Sequence, residues 1–262
     1  REIERRKAAS NQLHSVVFAI FPEFLYVMKG IKTKTARYLL EHYPSPQDIV
    51  GLGPDKLSTI IKKISRGRLT QERTKALYEA SRNSVGVQTG QNSALLDIRR
   101  LLDIIKDSDN YIDKLEKQMS RYLKDIPYSV YMLSIKGIGE ITVAGLIGEV
   151  GDFTKFRTIG EIMKLAGLNL YEISSGDRKG QRRISKRGRP LMRKFLFFLA
   201  INAVRKGGMM HGRYQHHLQK GMHKMKALIA IARNILSIIF AVVRDHSTYV
   251  VDYNKLLLRK AA

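Results

Sequence analysis

The chain has 262 residues and is strongly basic, with 47 Lys and Arg against 23 Asp and Glu, a formal net charge of +24 and an isoelectric point near 10.2. Such a charge attracts polyphosphates and predicts salt-dependent binding to nucleic acid, although a non-specific basic surface would have the same composition. A hydrophobic content of 44% excludes a disordered basic tail. The absence of cysteine excludes disulfides and thiolate metal sites, which fits a reducing compartment.

Residues 1–90 form the first predicted part, an N-terminal helical region. The opening segment, REIERRKAASNQL, has no apolar run typical of a secretory signal. The chain begins with Arg1 rather than Met, so we expect a fragment of a longer protein. Proline and glycine then separate short predicted helices, at Pro44, Pro46, Gly51, Gly53 and Pro54.

A helical hairpin is predicted at Met28–Leu40 within this region. Gly30 lies in the turn, and the segment after the turn has an apolar face at Ala36, Leu39 and Leu40. This pattern is typical of a degenerate helix-hairpin-helix motif, in which the turn has one glycine instead of two.

Residues 91–126 are predicted to form one long, coiled-coil-like helix, because they contain no Gly or Pro and repeat apolar residues every seven positions. The repeat consists of Ile98, Leu101, Ile105, Ile112, Leu115, Met119 and Tyr122, with Ser108 as a polar member. Such a seam packs against another helix. The partner is either a second copy of the chain or the chain's own domain, and the sequence leaves these alternatives balanced.

Residues 127–262 hold the predicted chemistry. Gly137, Ile138 and Gly139 separate two segments of helical periodicity, which predicts a helix-hairpin-helix motif. Glycines let such a turn approach a phosphate, and the N–H groups at the start of the next helix can bind it. Lys136 would add a direct charge. An ordinary tight turn is the alternative interpretation.

Two adjacent serines, Ser174 and Ser175, are predicted to lie in a turn before a dense basic stretch. The nine basic residues between 176 and 194 are Arg178, Lys179, Arg182, Arg183, Lys186, Arg187, Arg189, Arg193 and Lys194. Serine is a weak nucleophile, but guanidinium groups can stabilise the charge that develops on a phosphate under attack. Turn serines beside a solvated binding face would give the same pattern. Ser185, which could instead initiate a helix or bind phosphate, adds a third candidate that the residues alone do not rank.

Two apolar segments follow the basic stretch. Pro190 is predicted to begin a helix. Its core-facing side is predicted to be Leu191, Phe195, Phe198 and Leu199. The run Ala227–Val243 is predicted to be a buried helix, because two polar residues interrupt it and it is short for a membrane span.

The segments GIGEITVAGLIGEVGDFTKF, KLAGL, SSG and RRISKRGRPLMR, in this order, resemble the C-terminal transposase domain of the insertion sequence IS110 family. The resemblance is close over roughly Tyr128–Arg213 and loose elsewhere. It implies a serine-type DNA transposase or recombinase that is guided by a structured bridge RNA. The family's nucleophile is the serine of the Ser-Gly pair, which corresponds to Ser175 here, with Ser174 as the runner-up, and it forms a transient phosphoserine.

The expected DNA-binding residues combine this resemblance with charge and proximity. They are Lys136, Gly137, Ile138, Gly139, Arg178, Arg182, Arg183, Ser185, Lys186, Arg187 and Arg193. Family members also have a RuvC-like domain whose acidic tetrad binds Mg²⁺. We recognise no such strand-rich segment in this chain, so we expect a portion without its own cofactor or metal that is inactive alone. The acidic residues of the long helix, including Asp97, Asp103, Asp107 and Asp109, are predicted to be solvated.

The sequence therefore predicts a mainly α protein in which helical domains with helix-hairpin-helix motifs are joined by a long helix. The expected partners are DNA, a guide RNA and further copies of the chain in a homodimer or tetramer, with no membrane. The expected location is the prokaryotic cytoplasm, in association with the nucleoid. The competing hypothesis is a non-catalytic helix-hairpin-helix module that only binds nucleic acid.

Overall fold

A computed structural model of the chain describes residues 1–172 and 182–250. In these ranges the secondary structure is almost entirely α-helical, with one two-stranded antiparallel sheet, so the predicted mainly α class is confirmed. The chain divides into two compact units, Arg1–Leu115 and Glu116–Ala262. The division falls inside the long helix, whereas the sequence changes character near residues 90 and 126.

The first unit consists of six helices and the beginning of a long seventh. They are α1 (Glu2–Ile20), α2 (Pro22–Met28), α3 (Lys34–His42), α4 (Pro46–Leu52), α5 (Pro54–Ser65), α6 (Gln71–Arg82) and α7 (Gln91–Lys124). Proline at the first position starts α2, α4 and α5, where its missing N–H costs no hydrogen bond. Side-chain oxygens of Thr33, Ser45 and Thr70 cap α3, α4 and α6 by accepting from backbone N–H groups. The predicted separation of helices is thus confirmed at Pro44, Pro46, Gly53 and Pro54, whereas Gly51 lies inside α4.

The core of the first unit is built where these helices meet. Ala36, Leu39 and Leu40 on α3 are fully buried, as their spacing predicts. Phe21 and Phe24 pack beside them in the same cluster, with ring centroids 5.6 Å apart. The hairpin region is therefore part of a packed core rather than a surface appendage.

The seam of α7 is divided between two environments. Its first half, Ile98 to Ser108, is buried in the core of the first unit, so for this half the partner is the chain's own domain. Further along, Ile112 and Met119 are half-buried, while Leu115 and Tyr122 are exposed. The predicted helix is confirmed to within two residues at its C-terminal end.

Asp109 on α7 connects three helices of the first unit. Its two carboxylate oxygens accept hydrogen bonds from Arg6 Nη1 of α1 at 2.7 Å and from Arg37 Nη1 of α3 at 2.9 Å. Burial alone would raise the pKa of Asp109, but these two guanidinium groups outweigh it and hold the pKa below its usual value. The prediction that Asp109 is merely solvated is wrong, because the arginines that reach it are distant in the sequence.

The second unit contains the sheet and the remaining helices. They are α8 (Ser129–Leu133), α9 (Glu140–Val150), α10 (Ile159–Leu165), β1 (Leu170–Glu172), β2 (Arg182–Ile184), α11 (Pro190–Ala203), α12 (His211–Gln219) and α13 (Lys224–Arg244). Pro190 is the first residue of α11, as predicted. The buried face of α11 differs from the prediction, because Leu199 is buried but Leu191 and Phe198 are exposed.

Helix α13 is the central element of this unit's core. By length and composition alone it could cross a membrane. However, nine of its residues are buried, including Ile231, Ile235 and Ile239, and it packs against α8, α10, α11 and α12. The prediction of a buried helix at Ala227–Val243 is confirmed.

Candidate nucleic-acid interface

A short β-ribbon organises the basic segment of the second unit. Strands β1 and β2 are antiparallel, with Leu170 opposite Ile184, Tyr171 opposite Arg183, and Glu172 opposite Arg182. Glu172 and Arg182 therefore lie opposite each other at one end of the ribbon. This ribbon was not predicted as a pair of strands, because each strand has only three residues and the second is rich in arginine.

The ribbon continues toward the helices as a close backbone contact. Beyond the strands, Ser185 N–H donates to the Asn169 carbonyl at 3.0 Å, and Lys186 N–H donates to the Gly167 carbonyl at 3.0 Å. A Cβ atom on Gly167 would lie 2.6 Å from the Arg187 carbonyl oxygen, and one on Gly188 would overlap the Leu165 carbonyl. Only glycine allows the two segments to approach this closely. The glycines thereby hold the basic segment against the end of α10.

Cationic side chains project from this framework. Arg183, Lys186, Arg187 and Arg189 are all exposed, and none of them forms an ion pair with an acidic residue that the structure describes. Lys186 has a left-handed backbone conformation with φ 55°, which is unfavourable for a residue with a Cβ atom. The structure thus keeps a lysine at a position where glycine would have no Cβ conflict.

A cleft of about 800 Å³ lies beside the ribbon. Its lining includes Tyr171 and Asn169 from the first strand segment, together with Ser185 and Arg187 from the second. Arg187, which the sequence predicted to bind phosphate, thus lies at the edge of this cleft. The cleft is open and partly apolar, so it could accommodate a sugar or base next to a phosphate on the cation.

Two predicted phosphate-binding residues have structural partners. Ser185 Oγ donates to Asn169 Oδ1 at 2.6 Å, and Arg193 Nη1 donates to the Ala166 carbonyl at 3.0 Å. Ser185 does not initiate a helix, because α11 begins at Pro190 with Arg189 as its N-cap residue. Both contacts fasten the basic segment to the end of α10. Sequence reasoning missed these roles, since neither partner is a sequence neighbour.

Ser174, Ser175 and Arg178, which include the predicted nucleophile, lie outside the described residues. The backbone of Arg182 belongs to β2, but its side chain is likewise outside the described set. The structure therefore describes the two strands that come before and after the serines in the sequence.

The predicted glycine turn lies between α8 and α9. Gly137 has φ +91°, and Ile138 is buried at 9% exposure, so the turn is anchored by its apolar residue while Lys136 and Gly139 stay exposed. Gly139 is the N-cap residue of α9, and no side chain caps this helix. Its first N–H groups are consequently available to an external acceptor such as a phosphate oxygen.

The turn and the basic segment are supported by adjacent helices. Helix α9 packs on α11 at Gly145, where an added Cβ would lie 2.5 Å from Cζ of Phe195. No hydrogen bond or ion pair between described residues joins the turn itself to the ribbon. The two candidate phosphate sites thus share a scaffold but have separate local geometry.

Metal ligands are not clustered in the described part of the chain. Across residues 1–172 and 182–250, no group of three or more His, Asp or Glu side chains is placed to hold a metal ion. The candidate interface is therefore described by its cations, glycines and backbone N–H groups.

The fold and the interface define a mainly helical, basic protein. Residues 130–215, which include the glycine turn, the ribbon and α11, match the model of the Transposase IS116/IS110/IS902 family. This segment of the chain is similar to that family, in agreement with the resemblance seen in the sequence.

Full-length relatives extend the similarity beyond this segment. The chain is 24% identical over 241 residues to the insertion element IS110 uncharacterized 43.6 kDa protein of Streptomyces coelicolor, covering 92% of this chain and 59% of that protein. It is 22% identical over 219 residues to the IS900 uncharacterized 42 kDa protein of Mycobacterium paratuberculosis, covering 83% and 55%. A pilin gene-inverting protein of Moraxella lacunata is 27% identical over 258 residues, covering 90% and 75%. The chain thus spans less than two thirds of the length of the insertion-element relatives.

Proposed function

We propose that this chain is the DNA-handling portion of a transposase or recombinase that cuts and rejoins DNA strands through a serine nucleophile. The observation that carries the proposal is the β-ribbon, which lies inside the segment matched by the transposase family. Its two strands bracket the Ser-Ser-Gly sequence, and exposed cations without described acidic partners follow the second strand. The pilin gene-inverting relative adds support, because its name describes the inversion of a DNA segment.

In the proposed reaction, Oγ of Ser175 attacks the scissile phosphorus while its proton passes to a general base. The bond from phosphorus to the leaving sugar oxygen breaks, and that oxygen takes up a proton. The resulting phosphoserine conserves the ester bond energy, so that a sugar hydroxyl from another strand can reverse the step without ATP. Arg183 and Arg187, together with Arg178 and Arg182, are suited to balance charge on the phosphate oxygens during both steps.

The glycine turn and α9 are proposed to hold DNA by its backbone. Lys136 supplies charge, and the uncapped N–H groups at the start of α9 supply hydrogen bonds that do not depend on base sequence. The sequence resemblance supports guidance by a bridge RNA, assembly into a homodimer or tetramer, and action at the nucleoid. The same resemblance supports Mg²⁺ bound in a RuvC-like domain, which would complete the active site.

A covalent adduct tests the serine chemistry. The chain is combined with the RuvC-like domain, the guide RNA and a labelled target duplex, and protein–DNA adducts are separated under denaturing conditions. We expect an adduct whose attachment maps to Ser175 by mass spectrometry and which disappears in Ser175→Ala. The matched variant Ser174→Ala should retain it. An adduct of undiminished yield in Ser175→Ala would refute the assigned nucleophile.

A non-catalytic nucleic-acid-binding module remains the second candidate function, favoured by the uncapped start of α9 beside Lys136. This module would bind the same duplex with salt-dependent affinity and would never yield an adduct. Replacing Gly137 by Ala should weaken binding in both cases, because its φ of +91° is unfavourable for alanine and the turn must change. The adduct experiment therefore separates the two functions, whereas affinity alone does not.

A further inference from the structure

The first unit contains a basic cleft that lies outside the segment matched by the family and has no role in the proposed serine chemistry. The cleft measures about 580 Å³ and lies between the start of α3 and the turn that joins α5 to α6. Four cationic residues line it, namely Lys34, Arg66, Arg68 and Arg73. The family match begins only at residue 130, so this cleft is a feature of the preceding unit.

The cations of the cleft are not neutralised within the described part of the chain. No ion pair with a described acidic residue involves any of the four, and no acidic residue is found among those that line the cleft. Arginine and lysine side chains that converge without counter-charges repel one another, and a bound anion would relieve this repulsion. The cleft therefore favours a negatively charged ligand.

The turn before α3 has the same local design as the glycine turn before α9. Lys29-Gly30-Ile31 corresponds to Lys136-Gly137-Ile138, and the two glycines have φ +94° and +91°. The isoleucine is buried in each case, at 5% and 9% exposure, so each turn is anchored by the same residue type and a helix follows. The first turn is one residue longer and ends at Thr33, which caps α3.

A second strained cation marks the opposite wall. Arg66 has a left-handed backbone with φ 53° and is followed by Gly67 at φ +75°, after the end of α5. A glycine at position 66 would adopt this conformation without the Cβ conflict. Arg66 is the left-handed C-cap residue of α5, a conformation that glycine adopts most easily, and its side chain lines the cleft.

We propose that this cleft binds the phosphodiester backbone of a DNA duplex, as a nucleic-acid site additional to the one in the second unit. The described residues that line it include no aromatic side chain, so it offers no platform on which unpaired bases could stack. Four cations in one cleft can contact several phosphates of a duplex, and such contacts carry no base information. The inference concerns binding alone and does not depend on the serine chemistry.

The test compares two triple variants of the full chain that lose the same charge. One removes cations of the cleft, by Lys34→Gln, Arg66→Gln and Arg68→Gln. The other removes exposed cations outside the cleft that have no described ion pair, by Lys7→Gln, Arg99→Gln and Lys106→Gln. Binding to a short labelled DNA duplex is followed by fluorescence anisotropy between low and moderate salt. A single-stranded DNA and an RNA duplex of the same length serve as competing probes.

We expect the cleft variant to raise the Kd roughly tenfold or more, and the slope of log K against log salt to fall by about 2 to 3. The control variant should change the slope by less than about 1, because its cations make no phosphate contact. Equal losses in both variants would refute the site, as would a cleft-dependent preference for single-stranded DNA or for the RNA duplex. The adduct at Ser175 is scored separately, so its absence would leave this result unchanged.

Arg66→Gly distinguishes binding from folding if the triple variant is poorly folded. It removes one cation and relieves the left-handed strain. Duplex binding should therefore weaken, while the free energy of unfolding stays unchanged or increases. Binding that stays at the wild-type level in Arg66→Gly would exclude this side chain from a phosphate contact and overturn the proposed site.

Discussion

Lys186 combines strain with charge at a single residue. Its left-handed backbone, with φ 55°, lies where the ribbon turns toward α11. We predict that Lys186→Gly raises the free energy of unfolding by about 1 kcal/mol, because the Cβ conflict disappears. DNA affinity should fall at the same time, because an exposed cation is lost. Urea unfolding and duplex titration measure the two effects, and Lys186→Ala, which keeps the strain, should lower affinity with no gain in stability.

Asp109 gives the first unit a pH dependence whose sign follows from its partners. Its pKa is held below the usual value in the folded state, so it contributes stability above its unfolded pKa of about 3.9. That contribution is lost as the pH falls through the lower folded pKa. We predict that Asp109→Asn costs about 1 kcal/mol at neutral pH, allowing for solvent screening of these half-exposed groups.

The measurement for Asp109 is the difference in unfolding free energy between wild type and variant as a function of pH. This difference should be constant near neutrality and shrink below about pH 4. Asp107→Asn, on the same helix but exposed and without a described ion pair, should change stability by less than about 0.5 kcal/mol. If the difference in unfolding free energy between wild type and Asp109→Asn grew as the pH fell, the stabilising role of the two ion pairs of Asp109 would be contradicted.

At the interface, the sequence indicated the chemical type of each residue but not the contacts that each one makes. The basic stretch predicts a binding segment, and Arg183, Lys186 and Arg187 within it are exposed. The sequence could not show that Ser185 and Arg193 hold the end of α10, because these contacts depend on chain segments that the ribbon brings together. The same limit applies to Asp109, whose partners are 72 and 103 positions away.

At the level of elements, the backbone contact between α10 and the basic segment depends on Gly188. We predict that Gly188→Ala costs about 2 kcal/mol of stability, because the new Cβ would overlap the Leu165 carbonyl and the φ of 140° is unfavourable for alanine. Gly148→Ala is the matched control. It lies in α9 with no atom near an added Cβ, so it should be neutral or stabilise by up to about 1 kcal/mol. Urea unfolding of both variants checks the difference, and equal costs would show that Gly188 has no special geometry.

Element bounds followed from local signals, but the orientation of elements did not. The run from 91 to 125 without Gly or Pro predicted α7 almost to the residue, and Pro190 marked the start of α11. The core-facing side of α11 was wrong at Leu191 and Phe198, because contacts with α9 and α13 decide which side is buried. Because α11 has apolar residues on several sides, its sequence alone does not determine which side is buried.

At the scale of the whole molecule, the net charge predicts a nucleic-acid partner without depending on any single motif. The net charge of +24 is reflected in two sets of exposed cations without described acidic partners, one in each unit. The sequence pointed to the second set through its arginine cluster. It could not reveal the first, because Lys34 begins α3, Arg66 follows the end of α5, and the two line one cleft only in the folded unit.

The exposed half of the α7 seam predicts self-association of the molecule. Tyr111, Leu115 and Tyr122 are 51%, 38% and 69% exposed, although Leu115 and Tyr122 continue the heptad positions that are buried earlier in the helix. Apolar residues at such positions gain stability by packing against a second helix, and a second copy of the chain would provide the same seam. We predict that the protein is a dimer or higher oligomer by sedimentation equilibrium.

The double variant Leu115→Glu and Tyr122→Glu should shift this equilibrium to the monomer. In a dimer, four negative charges would face one another across the paired seam, and the seam would lose its apolar contacts. Leu96→Glu is the matched control on the same helix. Leu96 is more exposed, at 65%, but lies off the seam, so its replacement should leave the oligomer intact. Circular dichroism must show unchanged helix content in each variant. If both variants dissociated equally, or if the wild type were monomeric at high concentration, α7 would pair only within its own chain.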